Sequence, residues 1–199
     1  MDILKQQFKE RIQTHQLIAA IKEPKAIEKA IKYKDNISAV ILMTGNILTV
    51  KQYVDVLQDA GLPVILHVEK VGGLQATDTY GIDFVAQTIQ PFGIVTTKAN
   101  IIKKAKAKGL YVIQRVFLID TEVYVQLENS IEHAQSDMIE LMPCRAPDFL
   151  RKLTKSTTKP IITGGLLTTI EHAKEALVHG AKAVTTSNTD LWKMKINEL

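Results

Sequence analysis

The residues best suited to chemistry stand just after short apolar runs, spread along the whole chain: Lys22, His67, Glu69, Lys98, Arg115, Glu140, Gly164, Gly165, Ser187 and Asn188. His67 and Glu69 are two apart, which on an extended strand puts both on one side. Such a pair could hold a ligand hydroxyl, act as acid and base, bind a metal, or simply satisfy itself in a core. No His-x-His spacing or carboxylate cluster completes a metal set, so no metal is expected. Arg115 and Glu140 carry opposite charges on neighbouring runs. Buried, each would need the other, because an unpaired buried charge is very costly. They read first as a structural pair that also orients a ligand. Lys98 could form a Schiff base, but a lysine in this position more often holds a phosphate by charge. The sharpest signal is PIITGGLLTT followed by KAVTTSN. Gly164 and Gly165 would let a ligand approach backbone amides, and a helix starting near Thr168 would favour an anion with its N-terminal dipole. Thr186, Ser187 and Asn188 would add donors. The plainer alternative is that the glycines only permit a tight turn.

These residues need elements to hold them. Eight short, β-branched runs recur: Leu17–Ile21, Ala39–Thr44, Pro63–Val68, Gly93–Thr97, Tyr111–Val116, Met138–Met142, Pro160–Thr163 and Ala183–Thr186. Each is apolar on both faces, as buried parallel strands are. Helical patterns fill the gaps, with stop signals at Gly61, Gly109 and Gly180 and starts at Pro24 and Pro147. Thr168 and Glu171 form a capping-box pattern. Leu4, Phe8 and Ile12 predict a helix before the first strand, and Leu191–Ile196 a short final one. The count predicts an α/β fold, a compact TIM-type (β/α)8 barrel with an added N-terminal helix, residues 1–199 forming one domain. The rival, a doubly wound sheet, lacks its Gly-x-Gly-x-x-Gly after the first strand. In a barrel, chemistry lies where the strands end, and the phosphate-type signals fall after the last two strands.

Hydrophobic residues make up 46% and charged residues 23%, which suits a folded soluble domain. No window approaches the ~18 apolar residues of a membrane helix, and the first residues, MDILKQQFKERIQTH, lack a secretory signal core. A cytoplasmic protein without membrane contact is expected. The single cysteine, Cys144, has no adjacent histidine and is expected to be inert. The net charge of +4 is mild, but Phe84–Ile119 holds no acid while containing Lys103, Lys104, Lys106 and Lys108, and Phe149–Ile170 none while containing Arg151 and Lys152. Local positive potential attracts polyanions. The alternative is solvated helix faces balanced by acids elsewhere in the fold.

The stretches LIAAIKEPKAIEKAI, PVILHVEKVGGL, GIVTTKANIIKKAKAKGLYVIQRVFLID, DMIELMP, PIITGGL and GAKAVTTSNTDLW resemble the glycerol-3-phosphate-responsive antiterminators, in order and over Leu17 to Trp192. The resemblance implies a barrel-shaped regulator of a glycerol-utilisation operon that senses glycerol 3-phosphate, binds leader messenger RNA and lets transcription pass a terminator. On that reading Gly164, Gly165 and Ser187 hold the phosphate, and Lys22, His67, Glu69, Lys98, Arg115 and Glu140 line the mouth. RNA would meet Lys103, Lys104, Lys106, Lys108, Arg151 and Lys152. The resemblance implies no enzyme activity and no cofactor, and leaves a homo-oligomer open. The chain departs from the family pattern at Asn46, Glu69, Gly72 and the Met142-Pro143-Cys144 segment. Two other functions compete: a small phosphosugar isomerase or aldolase, with Glu69 as base and Lys98 as electrophile, and a barrel that only mediates protein contacts.

Overall fold

In the computed structural model, which describes residues 2–198, eight parallel strands pair in sequence order and close into a barrel. They are β1 (Leu17–Ile21), β2 (Ala39–Leu42), β3 (Val64–His67), β4 (Gly93–Thr96), β5 (Tyr111–Phe117), β6 (Met138–Met142), β7 (Ile161–Gly164) and β8 (Val184–Thr186). The ring closes through Ile18↔Thr185 between β1 and β8. Helix α1 (Asp2–His15) precedes the ring. Helices α2 (Ile27–Lys32), α3 (Val50–Asp59), α4 (Thr79–Phe84), α5 (Ala99–Ala107), α6 (Thr121–Ser130), α7 (Pro147–Ser156) and α8 (Ile170–Val178) wrap its outside.

Side chains alternate across each strand, so one set packs against the helices and the other fills the ring. The outer set forms the larger buried cluster, with Leu17, Val40, Leu66, Val112 and Ile139 beneath Val54, Ile101 and Leu153 of the helices. The inner set begins with Ile18, Ile41, Ile65, Val95, Ile113, Met138, Ile162 and Ala183. Two residues further along, the inward positions become Ala20, Met43, His67, Thr97, Arg115, Glu140, Gly164 and Thr185. The interior therefore changes from apolar to polar between adjacent layers.

Helix α1 closes the apolar end. Phe8 and Ile12 join the inner cluster, and the Phe8 ring lies 4.9 Å from Phe92 and 5.1 Å from Tyr111. Burying such a ring contributes roughly 1.5–3 kcal/mol. Arg11 fixes the helix by donating to the carbonyls of Lys34, Ile37 and Ser38, while Ser38 Oγ donates back to the Arg11 carbonyl.

Three local expectations change. The third strand ends at His67, and Val68–Lys70 forms a 3-10 turn, so Glu69 is not on the strand. The cap of α8 is Thr169, without a side-chain cap bond, and Thr168 instead lies against His172. No capping box forms, because the helix starts one residue later than Thr168 requires. The final helix is replaced by 3-10 turns at Leu191–Lys193 and Ile196–Glu198. They are pinned by the buried Trp192, whose indole donates to the Thr186 carbonyl at 3.0 Å.

Candidate ligand-binding site

The polar end of the ring opens into a cavity of about 480 Å³, walled by Lys22, His67, Glu69, Lys70, Thr97, Arg115, Phe117, Gly165, Leu166 and Ser187 among others. That volume is typical of small-molecule sites. At its base Arg115 and Glu140 are register partners on β5 and β6. Arg115 Nε donates to Glu140 Oε2 at 2.7 Å, and Thr185 Oγ1 donates to Glu140 Oε1 at 2.7 Å. Both carboxylate oxygens are therefore satisfied, as a fully buried charge requires. Glu140 lies beneath the cavity rather than in its wall. Among the described residues the remaining Arg115 nitrogens have no partner, and Arg115 itself lines the cavity.

Gly164 belongs to this network rather than to a phosphate cradle. A Cβ there would fall 1.8 Å from Thr185 Oγ1, so the missing side chain is the space in which the Thr185 hydroxyl reaches Glu140. Gly165 is different. Its φ of +73° is left-handed, where glycine is favoured, and a Cβ would meet nothing nearer than 3.7 Å. The β7–β8 pairing ends at Gly164↔Thr185. Beyond it, among the described residues, the amides of Gly165, Leu166 and Ser187 have no backbone partner, and all three residues wall the cavity.

On the facing side, His67 Nδ1 lies 3.1 Å from Glu69 Oε2. The angle leaves both buried atoms without a directed hydrogen bond. Glu69 Oε1 accepts from the Thr96 hydroxyl and from the Thr97 amide. Burial alone would raise the Glu69 pKa; it is outweighed by the contacts from His67 and Thr96, a backbone amide and the His67 charge. The carboxyl is held down at about 2. Glu69 is thus a fixed anion and a hydroxyl acceptor, facing a side rich in donors and cations.

Of the sequence-derived site residues, the structure brings Lys22, His67, Glu69, Arg115, Gly165 and Ser187 to the cavity wall. Lys98 stands outside the wall as the N-cap residue of α5. Asn188 turns away from it to accept from the Asp190 amide, and its own amide donates to Thr186 Oγ1. Lys70 and Thr97 also enter the wall; both stand at strand ends in the sequence, although neither belongs to the set expected to meet the ligand. Of the departures from the family pattern, Glu69 and Met142 reach the wall. Asn46 and Gly72 instead bridge each other outside it, and Cys144 is buried with its thiol pKa pushed up by desolvation. Among the described residues no group of three or more His, Cys, Asp or Glu could hold a metal, and no helix is long and apolar enough to cross a membrane.

The basic surface residues are mostly engaged. Lys106 pairs with Asp137 at 2.7 Å and Lys108 with Asp83 at 2.6 Å. Lys104 donates to the Thr77 carbonyl, Arg151 meets His179 Nε2 at 2.8 Å, and Lys152 sits over the Phe149 ring. Lys103 is exposed. The acids that balance α5 come from other elements, as the plainer reading of the charge pattern expects.

The sequence model of a family described as glycerol-3-phosphate responsive antiterminator matches residues 17–192. The chain is 30% identical over 178 residues to the uncharacterized protein YgcP of Escherichia coli (strain K12), covering 89% of this chain and 92% of that one. Among solved structures, it is similar to a glycerol uptake operon antiterminator regulatory protein from Listeria monocytogenes, with 36% identity, a TM-score of 0.83 and coverage of 89% and 95%. A glycerol uptake operon antiterminator-related protein from Thermotoga maritima follows, with 30% identity, a TM-score of 0.78 and coverage of 91% and 99%.

Proposed function

Because the chain belongs to the glycerol-3-phosphate responsive antiterminator family, we propose that it is a metabolite-sensing regulator that binds glycerol 3-phosphate at the barrel mouth and acts on leader messenger RNA. One observation carries the reading: Gly165, Leu166 and Ser187, whose amides have no backbone partner among the described residues, line one cavity with Lys22, Lys70 and Arg115. Amides and cations gathered at one cavity are what a phosphate dianion requires, since each N–H can donate to an oxygen that has left water. The glycerol hydroxyls would face Glu69 and His67, whose ionised carboxylate accepts but cannot donate. The apolar wall, Phe117 and Leu167, would cover the carbon chain.

A regulator needs a ligand that binds one state better than another, because only differential affinity moves an equilibrium. Phosphate binding would tie the β7–α8 loop to the end of β8, two segments that no ladder joins beyond Thr185. The aldolase alternative has less support, since Lys98, the sequence's Schiff-base candidate, is outside the cavity wall. The test is thermal unfolding of the purified protein with glycerol 3-phosphate, glycerol and inorganic phosphate. Glycerol 3-phosphate is expected to raise the melting temperature most, phosphate weakly and glycerol least. An equal response to all three, or none, would contradict the reading, and turnover of the ligand would return the case to an enzyme.

A further inference from the structure

The end of the barrel opposite the mouth carries a second concavity that the ligand reading does not use. A groove of about 860 Å³ lies between α1 and the β5–β8 side of the ring. Its α1 wall runs from Lys5 to Gln13, about 12 Å at the helical rise, so it is shaped for a chain more than for a compact metabolite. Lys5, Lys9 and Lys182 stand on its walls, and no carboxylate lines it. Among the described residues none of these three ammonium groups is in an ion pair. The floor includes the half-buried Tyr111, whose ring stacks on Phe92 at 5.2 Å and meets the buried Phe8 at 5.1 Å. Lys103, Lys104, Lys106 and Lys108, on α5 and just after it, differ, because Lys106 and Lys108 are already paired with Asp137 and Asp83.

A groove with cations along its walls and an accessible aromatic ring in its floor suits single-stranded nucleic acid: charge tracks the phosphates and a base lies on the ring. Gln6, Gln13 and Thr158 add groups able to meet base edges. A duplex presents its bases internally and would not reach such a floor. Resting on the proposal that this chain acts on RNA, we infer that single-stranded RNA is seated in the groove beside α1, at the opposite end from the metabolite. The two sites share β5, which carries Arg115 in the mouth and Tyr111 in the groove.

The test uses the full chain and an end-labelled pool of random-sequence single-stranded RNA, with binding followed by fluorescence anisotropy across a salt series. The triple variant Lys5→Glu, Lys9→Glu, Lys182→Glu is expected to bind at least about tenfold more weakly. Its dependence of log K on log salt should be shallower by about 2, from three lost contacts on a single strand. Tyr111→Leu keeps the bulk of the floor and should weaken binding about fivefold or more through lost stacking. Retention of the thermal response to glycerol 3-phosphate by these variants reports that the barrel is intact. The inference is overturned if the triple variant keeps wild-type affinity and slope. It is also overturned if reversal at Lys103 and Lys152 abolishes binding while the groove variant retains it, or if duplex RNA competes as well as single strands; in these cases the RNA reading survives. Failure of the wild-type chain to bind RNA at all would overturn both together.

Discussion

At the N-terminal end of the ring, the inward residues are Ile18, Ile65 and Ile113, with Phe8 and Ile12 of α1 packed against them. Two residues further along the same strands, they are Ala20, His67 and Arg115, facing a cavity. The backbone is continuous and its hydrogen bonds are alike; only the chemistry of alternate side chains differs. One layer anchors the ring by excluding water, and the next spends part of that stability on buried charge that can meet a ligand. A parallel barrel can hold both because each layer is closed on itself.

The largest loss is expected in the polar layer. Glu140→Leu leaves Arg115 buried without its acceptor and is expected to cost about 3–5 kcal/mol, read by denaturant unfolding. Adding Arg115→Met to it should recover most of that stability while abolishing ligand binding. A single variant as stable as wild type would show that the pair is not the charge anchor described. At the apolar end, Phe8→Ala should cost about 3 kcal/mol from the lost ring and the cavity it leaves, with the response to glycerol 3-phosphate retained. Loss of that response would mean the two ends are not separable.

Two neighbouring glycines sharpen the contrast within the polar layer. Gly164→Ala drives a methyl into the Thr185 hydroxyl and should cost about 2–3 kcal/mol by overpacking. Gly165→Ala meets no atom closely, so only its left-handed φ opposes it, at about 1 kcal/mol. Equal losses in thermal unfolding would refute their separate roles. Glu69 is read through pH. Its folded pKa of about 2 lies below the ordinary 4.5, so its contribution to stability is fully present above 4.5. It is lost as pH falls through that interval toward about 2. Glu69→Gln should flatten the acid limb of the stability curve there, and an unchanged limb would place the shift elsewhere.

Much of this architecture was legible in the residues alone. The eight runs lie within two residues of the observed strands because buried parallel strands are short and apolar on both faces. The Arg115–Glu140 pair was legible because two buried charges on neighbouring strands have few other solutions. The capping work of Phe8 and Ile12 was not, since amphipathic spacing tells that a face is buried but not against what. Nor were the Asp137 and Asp83 partners of Lys106 and Lys108, which the fold brings from remote positions. Glu69 was placed on the correct side for an incomplete reason: the chain leaves the strand at His67, and a 3-10 turn carries the carboxylate back to it. The three amides at the β7–β8 corner depend on where pairing stops, which side-chain identity does not encode.

Amide-resolved NMR during a glycerol 3-phosphate titration tests ligand binding at that corner most directly. The largest shifts are expected at the amides of Gly165, Leu166 and Ser187, with the amides of Lys5, Lys9 and Lys182 nearly still. Shifts concentrated along α1 while those three amides do not move would contradict it.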